Sequence, residues 1–244
     1  ESVIKEEQSR THLLSVIKRA IENEEFKVCY QPIYNVNTGE FESAEALLRL
    51  IDPELGFINP EYLVTVAEEN NCINQIEDIV FRKVCRFMRD SDTRSLGVKY
   101  IEVNLSPIHA RSEAILERFM SVMDYFDIEP GQINLEITET AQIGNEGKLV
   151  ANINAFAEKK VTFSIDDYGS GFASADYLIK LPVSIVKIDK TILWNAMKDE
   201  GAMVVLKNTI NMIKELGKKA LVEGVEDEHM VETLKLLGCD YLQG

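Results

Sequence analysis

At 244 residues the chain is long enough for one large α/β domain, or at most two small ones, and needs no disulfide staples to build a core. Its 41 acidic residues against 26 basic ones leave a formal charge of −15, which argues against a sequence-independent grip on nucleic acid. An anionic ligand would therefore need cations to help hold it. Cys29, Cys72, Cys85 and Cys239 stand far apart in apolar surroundings with no CxxC pair, and are expected to be reduced core residues of a cytosolic protein. No apolar run approaches the ~20 residues of a membrane span and no signal peptide is visible, so no membrane contact is expected of this chain. The expected location is the cytoplasm, as a free protein or as the cytoplasmic part of a larger, membrane-anchored one.

In chain order, residues 1–23 form an amphipathic helical stretch, expected either to cap the following domain or to connect it to an upstream regulatory one. Short runs rich in Val, Ile, Phe and Tyr follow at 26–31, 42–50, 99–105, 133–137, 161–166, 184–188, 219–223 and 240–243, eight candidate strands in all. Helical periodicity fills most of the gaps, at 73–88, 114–126, 149–159, 202–217 and 228–238, the last two ending in Gly. Strand and helix alternating at this pace imply βα units and a mainly parallel sheet. Eight strands fit a (β/α)8, TIM-like barrel of ~250 residues better than the competing flavodoxin-like open sheet. Only the turn-forming segment NVNTGE separates the first two runs, too short for a crossover helix, so the first strand is expected to be antiparallel and the barrel irregular. The domain proper is then 24–244.

In such a barrel the reacting groups sit at the C-terminal ends of the strands. The polar residues there are Asn104, Glu136, the pair Asp166 and Asp167, Lys187, Glu223 and Gln243, joined by Glu45 if its strand turns odd positions inward. Adjacent strand side chains point to opposite faces, so Asp166 and Asp167 converge only if the second lies on a turn, which the following GSG permits. Five carboxylates around one mouth repel one another; Lys187 cancels one charge and two divalent ions would cancel the other four. All-oxygen ligands favour Mg²⁺ or Mn²⁺ over zinc, and such an ion pair is how many enzymes cleave phosphodiesters. Taken singly, DDYG also suits an Asx turn, a Glu after a strand a solvated cap, and Lys187 a surface lysine. Joint occurrence at successive strand ends carries the reading. His12, His109 and His229 are scattered and support neither a histidine metal site nor a Ser/His/Asp triad.

The blocks EALLRL (45–50), VNLS (103–106), EITET (136–140), DDYGSGFAS (166–174), LPVSIVKIDK (181–190), EGVE (223–226) and YLQG (241–244) resemble, in order, the signatures of EAL domains, the bacterial cyclic di-GMP phosphodiesterases. The resemblance implies that Glu45, Asn104 and Glu136 ligate one ion, that Asp166 bridges both, and that Asp167 and Glu223 serve the second. It implies that Lys187 orients or helps to deprotonate the nucleophilic water, that Glu223 and Gln243 complete the catalytic set, and that Gln31 and Arg49 join Glu45 and Asp167 at the substrate. Glu139 is expected to brace the loop 168–176, which couples the metals to a dimer interface in the family; a homodimer and an upstream GGDEF or sensor domain follow from the same likeness. The implied reaction is hydrolysis of cyclic di-GMP to linear pGpG. Alternatives are a receptor that binds cyclic di-GMP without hydrolysis and a protein-interaction module. The block written DDFGTGYSS in the family reads DDYGSGFAS here, and Leu50 stands where an aromatic is common. The chain also stops at Gly244, where family members continue, so the C-terminal end is expected to be truncated, at a cost to barrel closure and to the placement of Gln243.

Overall fold

The computed structural model describes residues 2–138, 146–170 and 175–244. The first strands are β1, Lys27–Asn35, and β2, Glu40–Asp52, an antiparallel hairpin in which Gln31 faces Glu45 and Lys27 faces Arg49. Its turn is chemically specified. The Asn35 side chain accepts from the backbone N–H groups of Asn37 and Thr38, and Gly39 takes φ 77°, where a Cβ would be strained.

A short strand β3, Gly56–Ile58, folds back antiparallel on the outer end of β2. The barrel continues through β4 (Tyr100–Asn104), β5 (Ile133–Thr138), β6 (Thr162–Tyr168), β7 (Ile185–Ile188) and β8 (Lys219–Val222), parallel to β2 and to one another. Strand β9, Tyr241–Leu242, pairs parallel with β8 and antiparallel with β1, which closes the ring. The result is an eight-stranded irregular TIM-like barrel with β1 reversed and β3 added outside it. Closure through β9 removes the concern that the chain's end at Gly244 would leave the barrel open, and it seats Gln243 at the rim.

Helices cover the outside: α1 (Ser2–Glu22), α2 (Pro60–Glu69), α3 (Ile73–Asp90), α4 (Pro107–Ala110), α5 (Ile115–Phe126), α6 (Glu146–Glu158), α7 (Ala175–Lys180), α8 (Lys190–Ala196), α9 (Glu200–Glu215) and α10 (Glu228–Leu236). In α3 the buried Ile73, Ile76, Val80 and Val84 recur at helical spacing and face the sheet. Phe81, Phe119, Phe156 and Phe163 form a ladder of ring contacts from α3 through α5 and α6 to β6. The barrel's interior is layered differently. Ile33, Ile185 and Leu221, with Tyr100 and Tyr241, plug its lower end, and polar side chains occupy the upper end.

One expectation fails. Cys72, Cys85 and Cys239 are buried, but Cys29 is exposed. Cys29 shares a face of β1 with Gln31 and Ile33, and because β1 runs backwards it lies nearer the open mouth, above the apolar plug.

Candidate metal centre

The mouth end of β2, β4, β5, β6, β7 and β8 brings the expected residues together around one ammonium. Lys187 Nζ, with its side chain wholly buried, lies 2.6 Å from Glu136 Oε1, 3.0 Å from Glu45 Oε2, 3.1 Å from Glu223 Oε1 and 3.4 Å from Asp166 Oδ1. Strand register explains the convergence. Glu45 pairs with Glu102, Asn104 with Glu136, and Asp166 with Thr138, so each inward side chain sits on the next rung of the ring. Asn104 Nδ2 donates to Glu45 Oε1 at 2.9 Å, and Gln243 Nε2 donates to Glu45 Oε2 at 2.7 Å.

Between Ile165 and Tyr168 the pairing of β6 with β7 slips, and Asp167 adopts φ 56°, in the left-handed region that a non-glycine residue enters at a cost. That local reversal turns consecutive carboxylates toward one place. Asp166, Asp167 and Glu223 each offer an oxygen within 4.8 Å of the others, a spacing suited to one cation. Two residues after Asp167, Gly169 has φ 92°, and a Cβ there would collide with Ile192 Cδ1.

The electrostatics demand positive charge. Burial alone would raise the Glu45 pKa, yet Lys187 and the hydrogen bonds from Gln243 and Asn104 hold it below the usual carboxylate range. Burial, together with the Glu45 charge, pushes Glu136 well up despite Lys187. Glu223 rises to about 7 through burial, and Asp167 to about 6 through burial and its neighbour Asp166. Burial disfavours the Lys187 cation, but Glu136, Asp166, Glu45 and Glu223 overrule it and keep the ammonium well above its usual value.

Glu102 was overlooked in the sequence. It is completely buried, 4.0 Å from Lys187 Nζ, and among the described residues neither of its oxygens has a hydrogen-bond partner of good geometry. The signal was available, since Glu102 lies two residues before Asn104 and therefore on the same face of β4. A sixth carboxylate leaves one negative charge beyond what Lys187 and two divalent ions cancel. Burial raises the pKa of both Glu102 and Glu136. Glu136 and Asp166 are also buried or half-buried oxygen donors with, among the described residues, only the Lys187 ammonium beside them as counter-charge, and such an all-oxygen donor set fits hard divalent cations.

A cavity of about 710 Å³ opens above these groups, with Glu45, Asn104, Glu136, Asp166 and Asp167 on one side and Arg49, Glu61 and Glu68 among its other lining residues. Gln31 faces Glu45 across the hairpin but is not part of that lining. His109, unassigned by its sequence context, is buried beside the cavity wall. Its Nδ1 lies 2.7 Å from Glu77 Oε2 and its Nε2 2.6 Å from Arg118 Nη2; burial lowers its pKa to about 4 and keeps the ring neutral, so it accepts from Arg118 and donates to Glu77. Glu139 and residues 171–174 of the loop 168–176 lie outside the described residues.

The model of the EAL domain family matches residues 15–244. The chain belongs to the EAL family. Among curated EAL relatives, the oxygen sensor protein DosP of Escherichia coli is 30% identical over 237 residues, covering 97% of this chain and 30% of that protein. MucR of Pseudomonas aeruginosa, a bifunctional diguanylate cyclase/cyclic di-GMP phosphodiesterase, is also 30% identical, covering 97% of this chain and 35% of MucR. The chain thus spans about a third of the length of these relatives. Among solved EAL structures, the PaMucR phosphodiesterase in complex with c-di-GMP superposes with a TM-score of 0.88 at 30% identity, over 96% of this chain and 94% of that one. The FimX EAL domain of P. aeruginosa bound to c-di-GMP gives a TM-score of 0.86 at 20% identity over 95% of this chain and 93% of that one, a likeness of fold.

Proposed function

We propose that this EAL domain hydrolyses one phosphodiester bond of cyclic di-GMP to give linear pGpG, with two Mg²⁺ or Mn²⁺ ions as cofactors. The observation that carries the reading is the four carboxylates gathered around the buried Lys187, three of which, Glu45, Glu136 and Asp166, also line a cavity shared with Arg49. The names of relatives support the substrate, since P. aeruginosa NbdA, at 27% identity, is a cyclic di-GMP phosphodiesterase.

Glu45, Asn104 and Glu136 would hold one ion, Asp167 and Glu223 the other, with Asp166 shared. Bound there, divalent ions polarise phosphoryl oxygens and lower the pKa of the attacking water. Lys187, whose ammonium the surrounding carboxylates favour in the metal-free site, would orient or help to deprotonate the attacking water. Gln243 fixes the Glu45 carboxylate from one side and Asn104 from the other. Arg49 on the cavity wall suits a phosphate or guanine edge through its planar fork, and Gln31 assists from the neighbouring strand. Residues 1–23 would then connect the reaction to an upstream regulatory domain, in keeping with the greater length of the curated relatives, and a homodimer belongs to the same reading.

The test is incubation of the purified chain with cyclic di-GMP and Mg²⁺ or Mn²⁺, with and without EDTA, following pGpG by chromatography. Metal-dependent product, abolished in Glu45→Ala, is expected. Tight binding of cyclic di-GMP with no product would overturn the enzyme in favour of the receptor.

A further inference from the structure

Helix α8 begins three residues after Lys187, capped by Asp189, whose side chain accepts from Thr191 N at 2.9 Å. Two of its side chains touch the two turns that carry the Asp166, Asp167 and Glu223 triad. Ile192 lies beneath Gly169, at the turn just after the two aspartates. Trp194 reaches the other turn: its indole N–H donates to the carbonyl oxygen of Gly224, next to Glu223, at 2.9 Å. Gly224 has φ 70°, and a Cβ on it would run into Lys190 Cβ and crowd the indole.

The turn bearing Glu223 is pinned at three successive residues. Glu223 N donates to Ile188 O at 3.1 Å, Gly224 O accepts from Trp194, and Val225 N donates to Gln243 O at 3.1 Å. The first and third bonds are main chain and belong to the barrel closure. The second comes from a side chain on a separate helix, and together with the third it holds the Gly224–Val225 peptide unit, one residue beyond Glu223.

We propose that Trp194 is a positioning residue for the metal-binding triad, its indole N–H fixing the Glu223–Gly224 turn so that the Glu223 carboxylate meets Asp166 and Asp167. The proposal rests on the two-metal reading above. It has a spectroscopic consequence, because Trp194 is the chain's only tryptophan and its polar end is bonded one residue from a ligand. Its emission therefore reports metal uptake directly.

The experiment uses Mg²⁺ alone, without nucleotide. In the wild type, Trp194 emission changes saturably with Mg²⁺, at the affinity measured by calorimetry, and Asp167→Asn abolishes the change. Trp194→Phe keeps an aromatic ring and removes the N–H donor, and Mg²⁺ binding weakens roughly two- to tenfold. Its hydrolysis falls at limiting Mg²⁺ and recovers at saturating Mg²⁺, with KM for cyclic di-GMP unchanged. That split separates positioning from a general packing defect. Wild-type Mg²⁺ affinity in Trp194→Phe overturns the proposal and leaves the metal reading standing. If the wild type binds neither Mg²⁺ nor Mn²⁺, both fall together. Should Trp194→Phe fail to fold, the wild-type titration decides alone, and emission that stays constant while calorimetry records binding overturns the proposal.

Discussion

Lys187 carries three N–H donors and faces five carboxylates, so it moderates their repulsion without removing it. Lys187→Met is expected to lower the stability of the metal-free protein by about 3–5 kcal/mol, as when one partner of a buried ion pair is deleted, and to cost at least about 100-fold in kcat. Chemical unfolding in EDTA and a pGpG assay measure the two effects. Titration of Glu223, raised to about 7, sets a pH dependence whose sign is fixed. The folded metal-free chain binds a proton that the unfolded chain gives up near pH 4.5, so this group favours folding at low pH and the advantage is lost as pH rises from about 4.5 through 7. The loss is of order 3 kcal/mol for this group. Because the ion competes with the same proton, Mg²⁺ affinity is expected to rise from pH 6 to pH 8 and then level off. Calorimetry across that range checks it; an affinity flat between pH 6 and 8 counts against Glu223 as a ligand. At this scale the residues that gather around Lys187 were legible as polar residues ending apolar strands. Glu102 was missed because a charge in mid-strand looks like an outward position until the register shows which face it takes. That Asp166 and Asp167 converge was foreseen, but the left-handed φ that achieves it belongs to Asp167 itself, with the glycine only following.

Among the elements, the long periodic helices and all eight barrel strands were visible because each buries an extended apolar face. Strand β3 was not, since Gly56–Ile58 offers only three residues and its pairing with Leu50–Asp52 depends on the tight connection between them. That connection is held by Asp52, whose Oδ1 accepts from the backbone of Glu54 and Leu55. Helices α2, α4, α7 and α8 were missed for a related reason: short helices are specified by their caps and tertiary contacts more than by periodicity. Ser106 is the clearest case. Its hydroxyl accepts from Ile108 N at the start of α4 and donates to Glu68 Oε1 at 2.6 Å, while its N–H donates to Glu77 Oε1 at 2.6 Å. Ser106→Ala is expected to cost about 1–2 kcal/mol and to loosen the β4–α4 turn just beyond Asn104. Thermal unfolding gives the first, and a weaker Mg²⁺ affinity gives the second.

At the level of the whole molecule, one divalent ion bound as proposed would act as a ligand of the folded state alone. At Mg²⁺ one hundredfold above its Kd the gain is about 2.7 kcal/mol, which for a domain of this size raises Tm by roughly 5–10 °C over the EDTA-treated protein. Scanning calorimetry with and without EDTA measures it, and Asp167→Asn should shrink the difference. The reversed first strand has a consequence for where force enters the barrel. In a regular barrel the first strand starts at the closed end, far from the chemistry. Here β1 starts with Lys27 opposite Arg49, at the mouth, so the covalent lead-in from α1 arrives at the catalytic rim. Helix α1 is fastened there, through Arg10 to Glu69 of α2 at 3.0 Å and through Arg19 to Asp52 at the β2–β3 turn at 2.6 Å. Twisting or drawing on α1 therefore loads the hairpin that carries Gln31, Glu45 and Arg49 before it loads any other part of the ring; the domain's handle and its working edge are the same rim.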